Sequence, residues 1–287
     1  MDLGRVGVWN WLPADDLVTA VEAAAELERL GFGALWFPES AASFDIARAL
    51  LEGTSRMVVA TGIVSIWKHP PAESAAAHAE LTAAHPGRFL LGLGVSHAFL
   101  ADGQYRRPLA KMREYLDDLD AAQPRVPAAE RVLAALGPRM LELARDRSAG
   151  AHPYLVTPEH TRLAREVLGP DRLIAAEQAV VLETDPERAR ALARQHLAIY
   201  LQAPNYTNNW RRLGFTEDDL AGGGSDRLVD ALVAWGDAGA IRDRVARHHE
   251  SGADHVCLQV VTGEFRPPRE EWLTLAPALG LGGVTPR

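Results

Sequence analysis

Short runs of β-branched and aromatic residues alternate with long Ala-, Leu-, Arg- and Glu-rich segments from one end of the chain to the other. This alternation constrains the fold most, because strands separated by helix-length segments pair in parallel, with the helices packed on the sheet. Eight runs read as strands: 6–9, 34–37, 57–63, 89–97, 131–135, 150–156, 173–181 and 255–261. Between the first two, a helix is expected from about Ala14 to Leu30. There Leu17, Val21, Ala24 and Leu27 recur at spacings of three and four, and Gly31 closes the segment. A second, Ala-rich helix follows His69-Pro70-Pro71 and runs to about Ala84. Eight strands with interleaved helices fit a closed (β/α)8 TIM barrel better than an open sheet.

The chain has 287 residues, 47% of them hydrophobic, enough for one barrel domain over 1–287. The segment of about 185–239 is too long for a single crossover helix and reads as a helical insertion late in the chain. It contains a polar, aromatic loop from Asn205 to Trp210 and a hinge at Gly222-Gly223-Gly224-Ser225. A net charge of −8 with dispersed Lys and Arg argues against a nucleic-acid surface. The single cysteine, Cys257, lies in an apolar run and reads as a buried strand thiol. No stretch has the length of a membrane span and no secretory leader is recognisable, so no membrane partner and a cytoplasmic location are expected.

In a barrel the loops after the strand C-termini build the active site. Collected in order, they supply Asn10 and Trp11, Glu39 and Ser40, Ser65 to His69, Ser96 and His97, Gly137 to Met140, and His152 with Tyr154. This mouth is polar and aromatic, with no carboxylate cluster suited to magnesium. The stretch FLLGLGVSH (89–97) admits three readings. A Rossmann fingerprint would need a glycine where His97 stands, and would fall in the first unit rather than the fourth. A nucleophile elbow would make Ser96 the nucleophile of a serine hydrolase, with Ala98 in place of the second glycine. Alternatively, Gly92 and Gly94 simply let a strand end pack closely. Metal binding is not expected: His78 and His85 lack a third ligand, and His248-His249 reads as part of a charged, solvent-facing helix. Gly137-Pro138-Arg139-Met140 puts proline at a helix start beside a guanidinium, which suits a phosphate or serves as an ordinary loop-to-helix junction.

Taken together, GFGALWFPES (31–40), VVATGIVSIWKHPP (58–71), GRFLLGLGVSH (87–97), VLAALGPRMLELA (132–144), GAHPYLVTPEHT (150–161) and SGADHVCLQVV (251–261) resemble the luciferase-like barrel family. Within it, they resemble the branch of oxidoreductases that use the deazaflavin coenzyme F420. The resemblance implies a non-prolyl cis peptide at or near Gly62-Ile63, with Ile63, Val64 and Ser65 backing the cofactor ring. It implies that Glu39 hydrogen-bonds the deazaflavin, while Ser40 stands where relatives carry a proton-transferring histidine. It places His97 where some relatives carry an acid, making its imidazole a candidate proton donor or acceptor. Gly94 and Ser96 fall on the barrel rim, and Gly137, Pro138, Arg139 and Met140 match the segment along the ribityl-phosphate arm.

The implied activity is hydride transfer between deazaflavin C5 and a small organic substrate, with Trp11, Trp67, His152, Tyr154 and Tyr206 lining the substrate pocket and Trp210 a further candidate wall. A homodimer is also implied. The rival within the fold is an FMN-dependent monooxygenase. Outside that chemistry stand the Ser96 hydrolase and an F420-binding protein without turnover, the latter suggested by Ser40.

Overall fold

A computed structural model of the chain describes residues 1–12, 16–97, 103, 105–264 and 266–282. Ten strands run in chain order: β1 (Val6–Trp9), β2 (Ala34–Phe37), β3 (Val58–Thr61), β4 (Val64–Ser65), β5 (Phe89–Gly94), β6 (Arg131–Leu133), β7 (Gly150–Ala151), β8 (Leu173–Val181), β9 (Val233–Trp235) and β10 (His255–Val260). Every pairing is parallel. β10 bonds to both β1 and β8, which closes the sheet into a barrel. The barrel has eight positions, because β3 and β4 are two halves of one strand and β9 only flanks the C-terminal end of β8. The (β/α)8 expectation is met.

Several local expectations need correction. Strands end earlier than the apolar runs do: β3 stops at Thr61, β5 at Gly94, β6 at Leu133 and β7 at Ala151. The cis Gly62-Ile63 bond that the resemblance implies is present and divides β3 from β4. The register shows why the sheet survives the break. Ala60 pairs with Leu90 and Val64 with Leu93, so one strand advances four residues while its neighbour advances three. That is a one-residue bulge at the rim. The Asn205–Trp210 stretch is helical, within Pro204–Arg212. Pro204 starts that helix, and Tyr206 and Trp210, four apart, form its buried face. The insertion also ends in a strand, β9, whose three residues follow the short helix Asp226–Leu232 too closely to show a period of their own. The Gly222-Gly223-Gly224 segment is a turn with positive φ throughout, and Ser225 caps the helix after it by accepting from Leu228 N.

The first helix is observed as Leu17–Leu30, capped by Asp16, whose side chain accepts from Thr19 N, and closed by Gly31 at φ 93°. Ala14 lies outside the described residues. Helix faces pack on the outside of the barrel, while Trp9, Ala34, Trp36, Ala60, Leu90, Val132, Ala175 and Cys257 form a separate cluster. That second cluster is unusually polar at its edges. His152 stacks on Trp36 with ring centroids 4.2 Å apart, and Trp36 Nε1 donates to His255 Nε2 at 3.2 Å. Burial pushes both histidines down to about 4, so they are neutral near pH 7.

His248 is fully buried rather than solvent-facing. It bonds Gln178 Oε1 and Thr161 Oγ1, because its helix turns that residue toward β8 while His249 stays on the flank. Cys257 is buried as expected.

The two glycines of β5 have separate uses. A side chain at Gly92 would lie 1.9 Å from the carbonyl oxygen of Thr61, and at Gly94 it would lie 2.6 Å from Cγ1 of Ile63. Gly92 lets β3 and β5 close on each other; Gly94 makes room for the side chain of the bulge. Among the described residues, no helix is long and apolar enough to cross a membrane.

Candidate active site

A cavity of about 1640 Å³ opens at the C-terminal ends of the strands. It exceeds the space a single drug-sized ligand needs, so a cofactor and a substrate can share it. Glu39, Gly62, Ile63, Ser96, His97 and the whole Gly137–Met140 segment line it, as do Trp11, His152, Tyr154 and Tyr206. Loops from six barrel positions and the inserted helix Pro204–Arg212 thus converge on one space. Ser40, Val64, Ser65, Gly94 and Trp67 do not line it. Val64 and Ser65 are buried behind the bulge. Trp67 is tied back, its Nε1 donating to Val95 O at 2.7 Å. Ser40 is spent on the turn before the next helix, its hydroxyl accepting from Ala42 N and its carbonyl accepting from Ser43 Oγ.

The bulge forms one wall. Trp9 Nε1 donates to Gly62 O at 3.1 Å, and His152 lies beneath. The Nδ1–H of neutral His152 donates to Ala175 O at 2.8 Å, which leaves Nε2 as a lone pair on the side of Gly62. Among the described residues Nε2 has no partner.

Glu39 reaches the same wall. Its Oε2 accepts from Ser65 N and its Oε1 from His69 Nε2 at 3.1 Å. His69 is raised to about 9, chiefly by the hydrogen bond to Glu39 against the cost of its burial, and so is charged near neutrality. This histidine comes from the loop after the third strand, whereas the resemblance looked for one at position 40.

At another side of the cavity, the helix Pro138–Arg147 begins with Gly137 as its N-cap and Pro138 at its first position. Pro138 has no N–H and Met140 N bonds Gly137 O at 3.1 Å, so the first turn offers an anion the Arg139 amide and the positive end of the helix dipole. Two guanidiniums line the cavity there, Arg139 and Arg212, and Arg212 Nη2 lies 3.5 Å from where a Gly137 side chain would begin. The sequence reading missed Arg212, because its helix is remote in the chain and carries no local motif. An anionic arm fits this end and a flat ring fits the bulge.

The remaining wall is aromatic. Tyr154 OH donates to Gln259 Oε1 at 2.6 Å and accepts from Tyr200 OH at 2.9 Å. His97 lies against Tyr206 and Tyr200, with ring centroids 5.5 and 6.2 Å away, and hydrogen-bonds Asn205. Burial lowers the His97 pKa, opposed by the Asn205 bond, so the ring is neutral near pH 7 and can accept a proton. Tyr200 and Gln259 were not singled out from sequence, and Asn205 only as the start of a polar loop. Trp210 is fully buried below Tyr206, its Nε1 donating to Leu155 O, and does not reach the cavity. Ser96 stands at φ 53° on the rim, and Ala98 lies outside the described residues. Among the described residues no cluster of His, Cys, Asp and Glu can hold a metal ion.

Comparison with known proteins matches residues 1–255 to a family model described as luciferase-like monooxygenase. A Mycobacterium tuberculosis protein that carries the description of a coenzyme F420-dependent oxidoreductase is 25% identical, over 91% of this chain and 95% of its own. Two solved structures share the fold at low identity. The coenzyme F420-dependent tetrahydromethanopterin reductase of Methanopyrus kandleri has a TM-score of 0.75 at 15% identity, covering 95% of this chain and 97% of that one. The oxygenating constituent of 3,6-diketocamphane monooxygenase from Pseudomonas putida, in complex with FMN, has a TM-score of 0.71 at 14% identity, covering 98% and 97%.

Proposed function

The chain belongs to the luciferase-like monooxygenase family, and on that premise we propose that it is a coenzyme F420-dependent oxidoreductase acting on a small organic substrate. The observation that carries the reading is the pairing, in one cavity, of the Gly62-Ile63 bulge with a helix start flanked by Arg139 and Arg212. The description of the M. tuberculosis relative supports the deazaflavin over FMN.

When bound, the deazaflavin supplies a ring carbon that gives or takes a hydride. The chain's own residues supply the rest. Gly137, Pro138, Arg139 and Met140 form the helix start that holds the phosphate, through the Arg139 amide, the helix dipole and the guanidiniums of Arg139 and Arg212. The backbone of Gly62 and Ile63 backs the ring, and the Glu39 carboxylate accepts a hydrogen bond from its edge. Val64 and Ser65 act from behind, Ser65 by anchoring Glu39. His97, neutral and half-buried, takes the proton of a substrate hydroxyl during oxidation, or returns it to a carbonyl during reduction. Ser40 takes no part, since its hydroxyl is committed to a turn. Trp9, Tyr154 and Tyr206 exclude water from the space where the two ligands meet.

Titration of the protein with oxidised F420, followed by its fluorescence, tests the reading. Saturable binding that equimolar FMN does not displace is expected. Tighter binding of FMN would move the protein to the monooxygenase reading. Ester cleavage abolished by Ser96→Ala, without F420 binding, would replace both.

A further inference from the structure

The Glu39 carboxylate is held from behind by a second layer of charge that no cavity residue supplies. His69 is 4% exposed, between Glu39 Oε1 at 3.1 Å from its Nε2 and Glu73 Oε1 at 3.2 Å from its Nδ1. Its Nε2 also lies 3.2 Å from Ser40 O. Both ring nitrogens therefore face acceptors, and an imidazole satisfies two acceptors only by carrying both protons. Three elements meet at this ring. The loop after β2 brings Glu39 and Ser40, the start of the helix Pro71–Ala84 brings Glu73, and the helix Ser43–Glu52 brings the edge of Phe44 at 5.4 Å. The helix Pro108–Ala121 fixes the His69 backbone, with Tyr115 OH donating to His69 O at 3.0 Å. Among the described residues, the charged side chains against the ring are Glu39 and Glu73, and Tyr115 is a further titratable neighbour.

We propose that His69 is a positioning residue: as an imidazolium bridging Glu39 and Glu73, it fixes the Glu39 carboxylate in the cavity wall as a charged acceptor for the cofactor. The assignment rests on the F420 reading for the ligand, and on the bridge alone for the charge. The histidine absent from position 40 is thereby replaced by one from another loop with another task. It does not face the cavity, so it orients the acid and leaves proton transfer to His97. Glu73 lies half-exposed at the outer end, so the bridge can be weakened without touching the cavity.

The test uses the full chain labelled with ¹⁵N-histidine. In ligand-free protein, one imidazole, identified by its loss in His69→Gln, should remain protonated through pH 8 and titrate near 9. Its midpoint should fall by at least one pH unit in Glu39→Gln and by a smaller amount in Glu73→Gln. Oxidised F420 should bind His69→Gln about tenfold more weakly at pH 7. Wild-type affinity should decline between pH 8 and 10, and that decline should vanish in His69→Gln. A His69 midpoint near 6.5 in the wild type overturns the proposal, as does a His69→Gln protein that keeps the wild-type pH profile of binding. A high midpoint that responds to Glu39→Gln, in a protein that does not bind F420, supports the bridge and refutes the cofactor reading. The two failures are thus separable.

Discussion

The paired glycines of β5 allow a quantitative contrast between a residue that closes the barrel and one that shapes the cavity. A Cβ at Gly92 would lie 1.9 Å from Thr61 O, a distance real Cβ atoms essentially never show, so two paired backbones would have to separate by more than 1 Å. The separation would also break the Thr61 hydroxyl bonds to Gly92, one accepting from Gly92 N at 2.8 Å and one donating to Gly92 O at 2.9 Å. Overpacking costs about 1–3 kcal/mol and each lost hydrogen bond about 1 kcal/mol, so Gly92→Ala should cost about 3–5 kcal/mol. That is a large share of a domain's stability. At Gly94 the conflict is with Cγ1 and Cδ1 of Ile63, at 2.6 and 2.7 Å, the mobile end of a side chain that lines the cavity. Gly94→Ala should therefore cost only about 1 kcal/mol while pushing Ile63 into the cofactor space. Urea unfolding followed by circular dichroism gives the stabilities, and F420 titration gives the affinity. Gly94→Ala should stay folded and bind roughly tenfold more weakly, about 1.4 kcal/mol. Equal stabilities for the two variants, or wild-type affinity in Gly94→Ala, would refute this division of roles.

Glu177 is fully buried on β8, with Oε2 accepting from Leu155 N, and burial raises its carboxyl to about 8. The folded state holds this proton above the unfolded pKa of 4.5, so stability is lost as pH rises from there toward 8. Glu177→Gln should therefore gain about 3 kcal/mol over wild type between pH 5 and 7.5 in urea titrations; a pH-independent difference would contradict the assignment. His97→Asn should remove the acid limb of the turnover profile while F420 affinity stays within about twofold, and an unchanged profile would exclude His97 from proton transfer. Arg212→Gln should weaken F420 binding by roughly five- to tenfold, with the loss shrinking at high salt; a salt-independent loss would argue against a charge contact.

Strand positions were legible because buried parallel strands read as short continuous apolar runs, and β2 and β8 fall where those runs lie. β9 was not legible, since three residues directly after a helix carry no period of their own. The helix start at Gly137 could be read from local chemistry, as could the bulge at Gly62-Ile63 from family resemblance. Arg212 and His69 could not be assigned roles, because each acts through a partner distant in the chain: Arg212 beside Gly137, His69 beside Glu39. Neither spacing nor periodicity encodes such pairings. His248 misled for the opposite reason, since its charged neighbours on the same helix hide the buried network it joins.

The most direct measurement is a crystal structure of the protein grown with oxidised F420. The account predicts the deazaflavin ring against the backbone of Gly62 and Ile63 within hydrogen-bond reach of Glu39, and the phosphate at the Gly137–Met140 helix start, on the Arg139 amide and between the guanidiniums of Arg139 and Arg212. A ring bound elsewhere in the cavity, or a phosphate held away from that helix start, would contradict it.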